Sequence, residues 1–228
     1  MGRLAQTLDP MNRSPSQKFS LLFEAAKRCI LASDLLLARL DSSLAALESD
    51  IDANVDIAER AALPLLDAVA FVDFAHRFGS IVDALPLISK KAPEIRELHL
   101  ALSSVVKARN YLQHLRGDLS SNNEVRYPIL GVLSWSRNDA CYTVHFGQSS
   151  ETDSYSIAFD LQEKRWAATY QFSIQSHTMD LEAIVKKMHE TYSWFLTLVT
   201  ASDPAILQLK WGQTQSFGFR MIPPVDGV

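Results

Sequence analysis

The sequence predicts an α+β fold, and three observations carry that prediction. Apolar residues recur at helical spacing through the first half of the 228-residue chain. The period then shortens to two between residues 129 and 172, which is strand patterning. Helical spacing returns over 180–201, so the strands are set inside the helical part rather than after it. Composition agrees. With 47% apolar and 21% charged residues the chain is globular rather than disordered, and eight Gly and nine Pro exclude collagen-like and low-complexity classes. The length suits a single domain that buries about 70% of its unfolded surface.

Residues 1–13 read as a flexible N-terminal tail. Ser14-Pro15-Ser16-Gln17 then has the form of a helix start, with Ser14 as cap, Pro15 at the first helical position and Gln17 closing a capping box. The helix that follows runs to about Glu48, on an apolar face of Leu22, Cys29, Leu36, Leu40, Leu44 and Leu47. A second helix is expected from about Asn54 to Arg77, kinked or split by Pro64 and ended by Gly79. Ile81–Ile88 reads as a short turn or loop. A third runs from Pro93 to about Arg116, with Gly117 as its stop.

Four strand candidates follow. Ile129–Ser136 is the first. Tyr142, Val144 and Phe146 then face one way, with Thr143 and His145 facing the other. Tyr155, Ile157 and Phe159 alternate with polar residues, as do Trp166, Ala168, Tyr170 and Phe172. Short turns at Arg137-Asn138-Asp139 and Gln162-Glu163-Lys164 predict an antiparallel meander with one covered face. A fourth helix, about Asp180–Ala201, carries Leu181, Ile184, Val185, Met188, Tyr192, Phe195 and Val199 on one stripe. The expected architecture is therefore a four-helix bundle over 14–119 and 180–201, with a β-meander over 128–174 between the third and fourth helices. Residues 202–228 form a C-terminal extension, with one more strand expected within Ile206–Pro223.

Several chemistries have no sequence support. The glycines form no dinucleotide or P-loop fingerprint and no nucleophile elbow. The six His and two Cys show no zinc spacing, so no metal and no cofactor are expected. Cys29 and Cys141 form no disulfide framework, MGRLAQTLDPMNRS lacks a secretory signal, and no apolar run is long enough to span a bilayer. A cytoplasmic protein outside the membrane is the expectation. The net charge of −4 means that any nucleic-acid site must be local.

One segment is locally basic. Residues 90–116 hold six Lys/Arg against two Glu, and Lys107-Ala108-Arg109-Asn110-Tyr111-Leu112-Gln113-His114-Leu115-Arg116 has no acid. An arginine fork can hold two phosphate oxygens, and an imidazole can carry a proton near neutral pH. Together they suffice for metal-free RNA cleavage. On a straight helix Asn110 and His114 lie about 40° apart, whereas Arg109 and His114 lie about 140° apart. A two-fold pair of these helices would gather both kinds of group into one groove. Asp73 and His76, three residues apart, read as a helix-surface or inter-helix hydrogen bond rather than an acid–base pair.

Arg109-Asn110-x-x-x-His114 resembles the R-x(4–6)-H motif of the HEPN superfamily, in which a polar residue such as Asn often follows the Arg. The resemblance covers mainly the third helix. It implies an all-helical bundle that dimerises and, in many members, a metal-independent endoribonuclease of toxin, defence or RNA-processing systems. It implies His114 as general acid or base, Arg109 as the phosphate-binding residue and Asn110 as an orienting group; the basic charge of the segment adds Lys107 and Arg116 as nucleic-acid contacts. Single-stranded RNA would be cut across a homodimer cleft to a 2′,3′-cyclic phosphate, with an antitoxin or other protein as a further partner. The alternative is a non-catalytic helical module that binds a protein or nucleotide. On that reading Trp135, Tyr155, Trp166 and Tyr170 line a docking surface, unless they form core under the fourth helix.

Overall fold

The computed structural model describes residues 15–85, 88–120, 128–147 and 157–202. The N-terminal tail, the Ser14 cap, the C-terminal extension with its expected strand, and Tyr155 lie outside the described residues. Helix α1 (Pro15–Asp52) is followed by α2 (Ala62–Ala84), α3 (Pro93–Ala101) and α4 (Ser103–Ser120). Strands β1 (Val132–Arg137), β2 (Ala140–His145), β3 (Phe159–Asp160), β4 (Arg165–Trp166), β5 (Tyr170–Ile174) and β6 (His177–Asp180) come next, and α5 (Leu181–Ser202) closes the order. The α+β class is as read from sequence. The helices pack as α1 on α2 and α5, α2 on α4, and α3 on α5, while α4 and α5 also touch the sheet.

Helix α1 is 38 residues, about 57 Å at 1.5 Å per residue. Its buried face is the expected row from Cys29 to Leu47 with Phe19, Phe23, Ala26 and Ile30 added, and Leu22 is only partly buried. Helix α2 starts later than expected, which puts Pro64 in its first turn. Backbone N–H groups there have no intrahelical acceptor, so the ring causes no kink. Gly79 does not end α2. It is buried in mid-helix, where an added Cβ would lie 2.9 Å from Leu102 Cδ1. Glycine serves there as a close-approach residue.

The expected third helix is two. Leu102 interrupts it at φ −86° and ψ 0°, and α4 restarts at Ser103. Gly117 stays helical, and α4 runs to Ser120.

The sheet departs from a simple meander. Its order is β2-β1-β5-β6, all antiparallel, with β1 paired on both sides. Strands β3 and β4 form a separate two-stranded hairpin, in which Phe159 meets Trp166 edge to face at 5.0 Å. The turn Asn138-Asp139 has φ of 49° and 63°, the left-handed pair of a type I′ hairpin, which Asn and Asp tolerate. Strand β6 was not expected from sequence. Asp180 ends it, and its Oδ1 caps α5 by accepting the Ala183 N–H at 2.9 Å.

The β1–β5 and β5–β6 registers place Leu133, Trp135, Phe172 and Met179 on one face, where all four are buried. Trp135 is fully buried and Tyr170 nearly so. Each reaches a carboxylate on α1: Trp135 Nε1 donates to Glu48 at 2.9 Å, and the Tyr170 hydroxyl donates to Asp41. These two aromatics are therefore core rather than a docking surface: both bond to the first helix, and α5, the expected fourth helix, packs on β5. Arg137 bridges both acids, with Nε 3.2 Å from Glu48 and Nη2 on Asp41. Burial, with Asp41 as acceptor, pushes the Tyr170 phenol up to about 12.

Two stability outcomes follow. Glu48→Ala strands the buried Trp135 N–H and one contact of Arg137, and it should cost about 2 kcal/mol or more in urea unfolding. At Gly131, φ is +95° and an added Cβ would sit 2.5 Å from the Ser173 carbonyl oxygen. Gly131→Ala should lower the urea midpoint by a free energy of about 2–4 kcal/mol. A Gly131→Ala midpoint matching the parent would show that β1 can shift there at little cost.

Candidate functional site

Helix α4 sits between α2 on one side and β6 on the other. Val105, Ala108 and Tyr111 anchor it inward, each buried. That inward face sets the azimuth of every other side chain. Lys107, Asn110, Gln113 and His114 are exposed, and Val106 is 40% exposed. They form one solvent-facing ridge that carries no acid between Ser103 and Gly117.

Arg109 stands apart from this ridge. It is only 28% exposed and turns toward α2, where its Nε lies 4.0 Å from Asp73 Oδ1. The straddling expected from helical geometry is thus present: Arg109 and His114 leave the helix on different sides. The side chain of Arg116 lies outside the described residues.

The structure brings together groups that sequence spacing did not connect. Asp73 and His76 make no hydrogen bond to each other. Asp73 instead accepts from Arg77 Nε at 2.6 Å, and its other oxygen faces Arg109. His76 lies in the field of Arg109, Asp73 and Arg77. Burial, then Arg109, holds its imidazole below the usual range, with Arg77 adding to the effect and Asp73 opposing it. Cys29 of α1 is close enough to feel Arg77 and Asp73, but burial dominates and pushes its thiol up. On the other flank, His177 of β6 is held low by burial and by Lys107.

The remaining histidines in ion-pair contact are inter-helix ties. His99 on α3 meets Asp83 of α2 at 3.1 Å, and His189 on α5 meets Asp34 of α1 at 2.9 Å. Among the described residues, no three His, Cys, Asp or Glu side chains are grouped to hold a metal ion, and no helix is long and apolar enough to cross a membrane. Two cavities open elsewhere. One, of about 670 Å³, lies between the β3–β4 hairpin and the start of α5. The other, of about 440 Å³, lies between the α1–α2 loop and the end of β2.

Comparison with protein-family models, with curated proteins and with solved structures finds no match. The site therefore stands on its own geometry.

That geometry has a pH signature. His76 and His177 both bind protons more weakly folded than unfolded. As pH falls through about 6.5 the unfolded chain takes up protons first, so stability is lost from there down through the folded values. The urea midpoint should drop between pH 7 and pH 5.5. His76→Asn combined with His177→Asn should flatten that drop, and an unchanged slope in the double variant would assign it to other groups.

Proposed function

We propose that the chain is a metal-independent endoribonuclease of HEPN type, acting on single-stranded RNA across a cleft formed by two copies. One observation supports this reading above the others. Arg109 is half-buried and faces Asp73 at 4.0 Å, while Asn110 and His114 stand exposed on the same helix, on a stretch with no acid between Ser103 and Gly117. A guanidinium with a buried, unused N–H is suited to a phosphate, which supplies the acceptor it lacks. An exposed imidazole can reach a substrate and exchange protons with it. The exposed ridge of α4, with Val106 at its centre, is the surface on which a second copy would pair. Pairing two such ridges would set the Arg109 of each copy near the His114 of the other, and so overcome the 140° divergence on a single helix.

The chemistry assigned to each residue follows from its setting. Arg109 holds the scissile phosphate and offsets the charge that develops on it. Asn110 orients the ribose or phosphate by hydrogen bonding. His114 transfers the proton, and Lys107 and Arg116 flank the RNA backbone.

Light scattering should give twice the monomer mass. In EDTA the protein should cut single-stranded RNA and leave 2′,3′-cyclic phosphate ends. His114→Ala should reduce the rate about a hundredfold or more while the circular dichroism spectrum stays unchanged. Arg109→Lys should also be strongly impaired, because a point charge replaces a fork. Equal cutting by His114→Ala removes His114 from the mechanism, and a monomer that cuts removes the shared cleft.

A further inference from the structure

On the α2-facing flank of α4, polar atoms are left without partners. Arg109 Nε is sealed from solvent, and it has no hydrogen-bond acceptor among the described residues because Asp73 stands too far off at 4.0 Å. His76 Nδ1 is likewise buried and unpartnered. Arg77, 63% exposed, reaches the same carboxylate from the other side at 2.6 Å. One acid thus lies between two guanidiniums, and the group keeps a net charge of about +1 while His76 is neutral. The charged and titratable groups facing His76 are Arg109 from α4 and Asp73 and Arg77 from α2, with Cys29 of α1 beside the latter pair.

A buried donor without an acceptor is costly, so a ligand that supplies one is favoured. Oxygen of a phosphoryl group is that acceptor: it is anionic, it fits a guanidinium fork, and it can accept from a protonated imidazole as well. Once such an anion is bound, its charge opposes both the burial and the Arg109 field that disfavour a proton on His76, and the protonated ring becomes the better partner.

We propose that Arg109, Arg77 and His76 form a binding site for a phosphoryl oxyanion between α2 and α4, and that His76 takes up one proton from solvent as the anion binds. The inference rests on the ribonuclease reading in one respect, since the ligand it names is the RNA phosphodiester. It adds a second helix and a pH dependence to that site. No covalent bond changes; the only transfer is one proton from water to the imidazole. Linkage sets the sign: binding is tighter at low pH and weakens as pH rises through the bound-state titration of His76.

The test uses a ligand that cannot be cut and does not itself titrate near neutrality, the deoxydinucleotide dTpdT, beside inorganic phosphate as the free-ion arm. Calorimetry on the full chain should show dTpdT binding about fivefold more tightly at pH 5.5 than at pH 7.5. The His76 ring resonance should shift on saturation and titrate at higher pH. His76→Asn should remove the pH slope, while His99→Asn should keep it. Arg109→Gln should weaken binding at both pH values. Arg77→Gln, at a more exposed position, should do the same without endangering the fold. Preference for inorganic phosphate over dTpdT would assign the site to a free anion and overturn the phosphodiester identity. Absence of binding by both probes at pH 5.5, binding indifferent to both arginine substitutions, or a slope that survives in His76→Asn would overturn the site itself. Failure of RNA cutting with dTpdT binding intact removes only the nuclease reading, and cutting without the His76 and arginine dependence removes only this one.

Discussion

Two carboxylates on α1 decide where the sheet sits. Asp41 and Glu48 lie two turns apart on one helix, and three side chains of the sheet converge on them: Trp135, Arg137 and Tyr170. An apolar face alone would let the sheet slide along the leucines of α1, because hydrophobic contact has no direction. Hydrogen bonds to a carboxylate do have direction, and leaving one unmade is costly at Glu48, which is 14% exposed, and less so at Asp41, which is 50% exposed. The register of β1 against β5 then fixes β6, and β6 supports one side of α4. The position of the basic helix is thus traceable to two acids some sixty residues earlier in the chain.

The second support of α4 is α2. The contact carries both packing and charge. Gly79 lets Leu102 come close, and Asp73 lies opposite Arg109 one helical turn and a half further back along α2. Two positions of α2 about 120° apart, Gly79 and Asp73, therefore set the approach of the chain entering α4 and the direction of Arg109. His114 stands on the exposed ridge, with no carboxylate beside it among the described residues.

Much of the fold was legible in the sequence because period is a strong signal. The leucine row of α1, the stripe of α5 and the alternation in β2 each specify one face, and those faces are buried but for Leu22, Tyr142 and Tyr192, which are partly buried. The errors fall where one residue type serves two purposes. Gly79 and Gly117 read as stops, yet one is a close-approach site and the other remains helical. Pro64 read as a kink because the helix start was placed too early. Leu102, an ordinary apolar residue in a helical pattern, gave no sign of the break between α3 and α4. At the site, the divergence of Arg109 from His114 followed from 100° per residue. The meeting of Arg109 with Asp73 and His76 did not, because it depends on how two helices cross. The local surplus of cations marks the segment, but the acid that faces Arg109 lies on another element.

The turn at Leu102 keeps α3 and α4 in phase. Its backbone departs from ideal helical values, yet its N–H still donates to the Leu98 carbonyl at 2.9 Å and its carbonyl accepts the Val106 N–H at 3.0 Å. The direction of Arg109 is therefore tied to the face that α3 presents to α5, as well as to Val105, Ala108 and Tyr111. Removing a single residue at this turn would rotate everything downstream by about 100° and carry the guanidinium away from its carboxylate.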